Sequence, residues 1–139
     1  MKYSSRIFLS LSILIFALAA CGPTGSSLAD LKSGSWLLTS LDGSAPVTGS
    51  SITLNFDKDS LGGSAGCNSY GGEYKLRGEK LSLNNVYSTE MYCEAAGLMD
   101  QEAYYLELLS KVESFTVSDN TLTLTTSSDE TLEFVKTSY

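Results

Sequence analysis

Tyr74-Lys75-Leu76-Arg77-Gly78-Glu79-Lys80-Leu81-Ser82-Leu83 is the stretch that decides how the fold is read. Apolar and polar residues alternate along both arms, and Gly78 stands between them. Successive side chains of a strand point to opposite faces of a sheet, so this period of two marks half-buried strands. Two such arms about a glycine-bearing turn read as a hairpin. The pattern returns at Phe115-Thr-Val117-Ser-Asp119-Asn-Thr-Leu122-Thr-Leu124, where Phe115, Val117, Leu122 and Leu124 match Tyr74, Leu76, Leu81 and Leu83. An internal duplication would give this match. One sheet that asks repeatedly for the same unit explains it more simply.

Outward from the first hairpin the same signal recurs. Gly34 to Leu41 reads as a strand closed by Asp42-Gly43, and Ile52-Thr-Leu-Asn-Phe56 alternates cleanly. Asp57 to Ser60 reads as a turn. Leu61 to Gly66 reads as a glycine-rich strand that bends or lies close to another backbone. Thr131 to Val135 reads as the last strand, and Leu28 to Leu31 as a short helical turn. One segment has another period: Leu98, Tyr105, Leu109 and Val112, widened by Leu106 and Leu108, share a face at helical spacing. Residues 97–112 are therefore expected to form one amphipathic helix. Most connections are too short for parallel crossovers, so the sheet is antiparallel. The expected class is α+β and mainly antiparallel β, a strongly curved sheet or partly closed β-roll covered by that helix.

The N-terminus carries a different message. Lys2 and Arg6 precede a run from Ile7 to Ala20 that is almost wholly apolar and falls short of the roughly 18 residues a spanning helix needs. It ends in Leu18-Ala19-Ala20-Cys21. A basic start, an apolar core and small residues before a cut mark a secretory signal. The cysteine directly after them makes the segment resemble a bacterial lipoprotein signal. By that resemblance residues 1–20 are removed and Cys21 receives a diacylglycerol and an acyl chain such as palmitate. Residues 21–33 then form a tether and 34–139 the domain. The expected place is the cell envelope, lipid-anchored. In a two-membrane cell Gly22 after the cysteine resembles outer-membrane sorting, facing the periplasm.

The chain has 139 residues and a formal net charge of −7, and both charges of the signal are basic, so the remainder is more acidic still. Such a chain is a poor partner for nucleic acid, whose affinity rests on neutralised phosphates. As a whole it is repelled by anionic headgroups, which leaves anchoring to the lipid. Along the sequence the charges look scattered and read as a solvated surface.

With Cys21 assigned to lipid, two of the three cysteines remain, Cys67 and Cys93. In an exported protein such a pair reads as a disulfide. Closing a loop of this length would contribute about 3.5 kcal/mol. Free buried thiols are the alternative. Zinc is a poor one, because the chain has no His and a structural site wants four nitrogen or sulfur ligands.

Two segments carry a family resemblance: Gly63-Ser-Ala-Gly66-Cys67-Asn68-Ser-Tyr70-Gly-Gly-Glu-Tyr74, and Ser88-Thr89-Glu90-Met91-Tyr92-Cys93. With Trp36, Ile52 to Asp57 and the helix, they resemble the META domain, also called the HslJ-like domain, from about Gly34 to Val135. The resemblance implies a compact antiparallel β domain with one helix, found in bacterial envelope lipoproteins and proteins linked to heat shock. It brings no agreed catalytic activity. It supports the Cys67–Cys93 pair, and it marks Trp36, Gly66, Asn68, Tyr70, Thr89 and Met91 as motif residues, structural or binding. Glu90 departs from the basic residue common in bacterial members. From the residues themselves, the motif glycines allow tight bends or positive φ. Asn68 suits a corner through αL geometry or bonds to its own backbone. Tyr70, Tyr74 and Met91 are expected in the core or half-buried, and Thr89 in a strand.

Without His, Ser-His-Asp, Cys-His and His-metal arrangements are excluded. Gly62-Gly63-Ser-Ala-Gly66 lacks the Gly-Lys-Ser/Thr of a phosphate loop. Asp57-Lys-Asp59-Ser-Leu61-Gly62 starts like a calcium loop, but Leu61 occupies a ligand position, so a turn is expected. No cofactor or metal is expected. Among Tyr87, Tyr92, Tyr104 and Tyr105, interface-suited residues, Tyr105 belongs to the apolar helix face and Tyr104 is the better candidate for exposure. The functional expectation is a non-enzymatic envelope lipoprotein that binds another envelope component or supports stress tolerance. The rival is a small-molecule or peptide carrier using the interior of the rolled sheet.

Overall fold

The computed structural model describes residues 25–137. The signal segment and Cys21 lie outside them. Within them the order is α1 (Leu28–Leu31), β1 (Ser35–Leu41), β2 (Thr53–Phe56), β3 (Ser60–Ser64), β4 (Ser69–Arg77), β5 (Lys80–Ser88), α2 (Leu98–Ser110), β6 (Val112–Ser118), β7 (Thr121–Thr126) and β8 (Thr131–Thr137). Every strand pairs antiparallel with its sequence neighbour, and β8 returns to β1 from Ser35↔Thr137 to Leu41↔Leu132. The result is a closed eight-stranded barrel rather than a partly closed roll. Closure follows because β1 and β8 each bury one face and would otherwise leave a row of unpaired N–H and C=O groups at an edge.

The alternation that marks the strands also fills the barrel. Trp36, Leu54, Leu81, Phe115, Leu122, Leu124, Leu132 and Phe134 point inward and are almost wholly buried. In β1 a bulge between Leu38 and Ser40 shifts the register, which lets Leu38 and Leu41 both face inward despite their odd spacing. Outward positions carry residues such as Lys75, Arg77, Glu133 and Thr116, all exposed. This is the reverse of a membrane-spanning barrel, whose apolar side faces out. No helix of the described residues is long and apolar enough to cross a membrane.

The strands alternate in direction, so their connections divide between two ends. The turns 57–59, 78–79 and 119–120 lie at the lower end with α1. The connections 42–52, 65–68, 89–111 and 127–130 lie at the upper end. Asp57 to Ser60 is a turn closed by the Asp57 N–H donating to Ser60 O at 2.8 Å. The two matched hairpins are β4–β5 and β6–β7. Their shared seam is thin. Lys80↔Ser114 is its single ladder pair, supplemented by the Phe115 N–H donating to Glu79 O at 3.2 Å. Beyond it β5 and β6 part, and α2, which joins them, packs against β5.

Ser26 to Leu31, read as part of the tether, are docked at the lower end. Leu31 is fully buried, and its carbonyl accepts the Trp36 indole N–H at 2.8 Å. Ser26 Oγ accepts the Val117 N–H of β6 at 2.7 Å, and Ser26 N–H donates to Glu79 Oε1 at 3.2 Å. The interior holds side chains rather than a ligand chamber, which counts against the carrier reading.

Candidate functional site

At the upper end the two motif segments meet on one side chain. Asn68 is 2% exposed and spends its whole amide. Its Nδ2 donates to Met91 O at 3.0 Å and to Glu102 Oε1 at 2.5 Å. Its Oδ1 accepts the Met91 N–H and the Thr89 hydroxyl, both at 2.7 Å. Glu102 of α2, 4% exposed, completes the cluster from the other side. Its Oε2 accepts the backbone N–H of Cys67 at 3.0 Å and of Asn68 at 2.7 Å. Together these bonds join the 65–68 connection, the 89–93 loop and the helix.

The sequence offered a corner role for Asn68, with αL geometry or bonds to its own backbone. Instead its φ is not positive, and its side chain works as a hub between distant segments. Thr89 falls just past β5, where its hydroxyl rather than its branched carbon matters. Glu102 carries no sequence signal for this role, because nothing local announces that its carboxylate faces two backbone amides. Gln101 was missed likewise. Its Oε1 accepts the Val47 N–H at 2.5 Å, and its Nε2 donates to Ser50 Oγ at 3.0 Å, pinning the 42–52 loop.

Cys67 and Cys93 form the disulfide, with Cα atoms 5.9 Å apart, and tie the loop down a second time. Gly66 has φ +115, and a Cβ there would sit 3.0 Å from Leu98 Cδ1, so glycine lets α2 approach the connection. Gly62, Gly63, Gly71 and Gly72, in contrast, do not take positive φ. At Gly63 the reason for glycine is proximity: an added Cβ would lie 2.0 Å from Thr53 O. Tyr70 is buried as expected. Its hydroxyl donates to Thr53 O at 2.9 Å and meets the Tyr105 hydroxyl at 2.6 Å, so Tyr105 is the donor in that pair. Burial pushes both phenols up, and for Tyr105 the neighbouring Tyr70 adds to the rise. Tyr74 is buried too, while Tyr104 is partly exposed beside Asp42. Trp36 is a core residue at the opposite end.

Met91 overturns the expectation of a core position. It is 57% exposed, and Tyr92 beside it is 80% exposed and Tyr87 70%. Residues 89–97 form neither strand nor helix, yet their backbone is held by Asn68 and the disulfide. Holding the Met91 backbone against the barrel leaves its side chain no inward path. A constrained loop thus presents Met91 and Tyr92 to solvent, and Tyr87 near the end of β5 is exposed as well. A surface groove of about 630 Å³ lies elsewhere, at the β5–β6 seam, with Lys75, Arg77, Lys80, Ser82, Glu113 and Ser114 in its walls. Among the described residues no three metal-ligating side chains gather.

The META domain family matches residues 29–139 of the chain. The chain belongs to the META domain family. Solved structures agree with the barrel. A protein from Burkholderia xenovorans, determined by NMR, is 28% identical with a TM-score of 0.67, over 86% of this chain and 94% of that one. A second NMR structure is 24% identical, with a TM-score of 0.66 over 80% and 95%. A DUF4847 family protein from Bacteroides vulgatus, in a crystal structure, shares the fold at 13% identity, with a TM-score of 0.60 over 81% and 99%. Comparison with curated proteins gives no match. In this META domain the two motif segments meet at the Asn68 hub.

Proposed function

We propose that this META-domain protein is a non-enzymatic component of a bacterial cell envelope, held by lipid on Cys21, that docks another envelope protein through Tyr87, Met91 and Tyr92. The observation that carries the reading is the exposure of Met91 and Tyr92 on a loop held by Asn68 and the disulfide, with Tyr87 exposed near the end of the preceding strand β5. A mobile loop would lose conformational entropy on binding, and a held one loses less, which favours association. Tyrosine and methionine are enriched where interfaces bury area, because they combine apolar surface with a polar or adaptable end. The absence of His from the chain removes His-dependent hydrolysis, and the packed barrel interior points away from carriage. A role in stress tolerance would act through the partner.

The test is crosslinking in intact cells followed by mass spectrometry of the tagged protein. The wild type is compared with Met91→Ser/Tyr92→Ser and with Cys21→Ala. Both loop residues are exposed, so the double substitution should leave stability within about 0.5 kcal/mol per site. A stoichiometric partner lost in the loop variant supports the reading. A partner that stays bound, or turnover of a substrate by the purified protein, sinks it. Metabolic labelling with a palmitate analogue tests the anchor. Label that persists in Cys21→Ala removes it.

A further inference from the structure

Charges that look scattered along the sequence are sorted by the barrel. Lys32, Lys58, Lys75, Arg77, Lys80 and Lys136 all belong to the lower end, on α1, in the turns, or on the adjoining strand ends. Lys111, the remaining cation of the described residues, closes α2 at the upper end. There it faces Glu107 at 2.6 Å. The acids are shared unequally. At the lower end Asp30, Asp57, Asp59, Glu73, Glu79 and Asp119 roughly balance the cations. Most of the rest, among them Asp42, Glu94, Asp100, Glu107 and Glu130, lie in the upper half, while Glu113 and Asp129 share the walls of the β5–β6 groove with Lys75, Arg77 and Lys80. Most of the excess negative charge therefore sits on one half of the barrel.

The docked N-terminal segment fixes which half would meet a membrane. Ser26 is bound to β6 and to Glu79 beside the 78–79 turn, next to Arg77 and Lys80. The covalent stretch from Cys21 to Ser26 spans at most about 18 Å. We infer that an anionic phospholipid surface holds this barrel upright, with the lower, cation-bearing end at the headgroups and the upper end turned away. The inference rests on the proposed Cys21 anchor. It also revises the expectation of simple repulsion. The chain as a whole is acidic, but a short anchor exposes mainly the near end to the surface potential, which fades within a Debye length of about 10 Å. The upper-end loops, with most of the acids and with Tyr87, Met91 and Tyr92, then stand roughly a strand length, about 25 Å, further out. Reversing the barrel would press the acidic half against the lipid phosphates.

Amine footprinting reads this orientation directly. The full-length lipidated protein is placed on vesicles of phosphatidylcholine alone, and on vesicles of equal parts phosphatidylcholine and phosphatidylglycerol. Acylation of each lysine is then followed by mass spectrometry. A surface potential of about −30 mV lowers the free-amine fraction of a nearby lysine about threefold. Lys58 and Lys80 should therefore slow by about twofold to threefold relative to Lys111 on the anionic vesicles at about 0.1 M salt. The contrast should shrink at high salt and on phosphatidylcholine. Lys75→Glu/Arg77→Glu, changed at two exposed positions, should reduce it while the protein still floats with the vesicles. Equal slowing of Lys58, Lys80 and Lys111, stronger slowing of Lys111, or a contrast independent of lipid charge overturns the orientation and leaves the anchor standing. Failure to float with either vesicle overturns the anchor and the orientation together.

Discussion

Asn68 and Met91 bind each other as two strand residues would. The Met91 N–H donates to Asn68 Oδ1 at 2.7 Å, and Asn68 Nδ2 donates to Met91 O at 3.0 Å. A primary amide copies the donor–acceptor pair of a peptide, so one side chain continues strand-like pairing at Met91, three residues beyond Ser88. The same amide also accepts a hydrogen bond from the Thr89 hydroxyl and donates one to Glu102. A buried group with every donor and acceptor used rigidifies what it joins.

Asn68→Ala leaves the Met91 N–H and one Glu102 oxygen without protein partners, and is expected to cost about 2 to 3 kcal/mol. Asn68→Asp sets a second carboxylate beside Glu102, with only 2.5 Å between the present amide nitrogen and Glu102 Oε1. It should be the more damaging change at neutral pH and should recover as the pH falls and the pair takes up a proton. Urea denaturation of both variants across pH checks the order. Equal stability at all pH values would show that the pair is hydrated rather than buried.

Reduction of Cys67–Cys93 is expected to lower stability by about 3.5 kcal/mol. Asn68 continues to hold Met91, so amide exchange should rise most between Cys93 and Gly97 and least at Met91. Uniform acceleration from 89 to 97 would mean that the disulfide alone orders the loop.

The Tyr70–Tyr105 pair makes stability sensitive to base. Burial raises both phenols above the ordinary value, so the folded state favours their neutral forms. Their contribution is complete below the unfolded value of about 10. Above it the unfolded chain releases protons that the folded chain keeps, and stability falls as the pH climbs toward the raised values. Tyr105→Phe should flatten that decline at a cost near 1 kcal/mol at neutral pH. Denaturation midpoints from neutral to alkaline pH, with tyrosinate absorbance as a second readout, decide it.

Gly63→Ala would place a methyl 2.0 Å from Thr53 O, on backbone that cannot turn aside. Strands β2 and β3 would have to move apart, at a cost of about 3 kcal/mol. Gly78→Ala has open space around its Cβ but keeps φ +63. Its cost should be the smaller one of about 1 kcal/mol for an L residue in αL. Thermal midpoints of the two variants compare proximity with backbone strain.

Much of the barrel was legible because its signals are local. Alternation at Ile52–Phe56, Tyr74–Leu83 and Phe115–Leu124 depends on neighbours two residues away, and the helix of α2 on neighbours three and four away. The structure shortens that helix to Leu98–Ser110 and extends β5 to Ser88, where Asn84, Asn85 and Tyr87 gave no inward-facing signal. The candidate site was legible as a motif but not as a mechanism. Met91 and Tyr70 look alike as apolar candidates, yet one faces solvent and the other the core. What separates them is Asn68 holding the Met91 backbone at the barrel wall.

The sequence by itself determined the strands, the helix, the turn at Asp57–Ser60 and, through two spaced motifs, membership of the META family. Each of these rests on residue spacing. Closure, the hub and the sorting of charge were decided only by the tertiary structure. Whether β8 reaches β1 depends on the summed register of every hairpin between them. Which N–H groups Glu102 faces depends on where α2 packs once that register is set. Lys58, Lys80 and Lys136 lie far apart in the chain and share one end because alternating strand directions return every second connection to the same side.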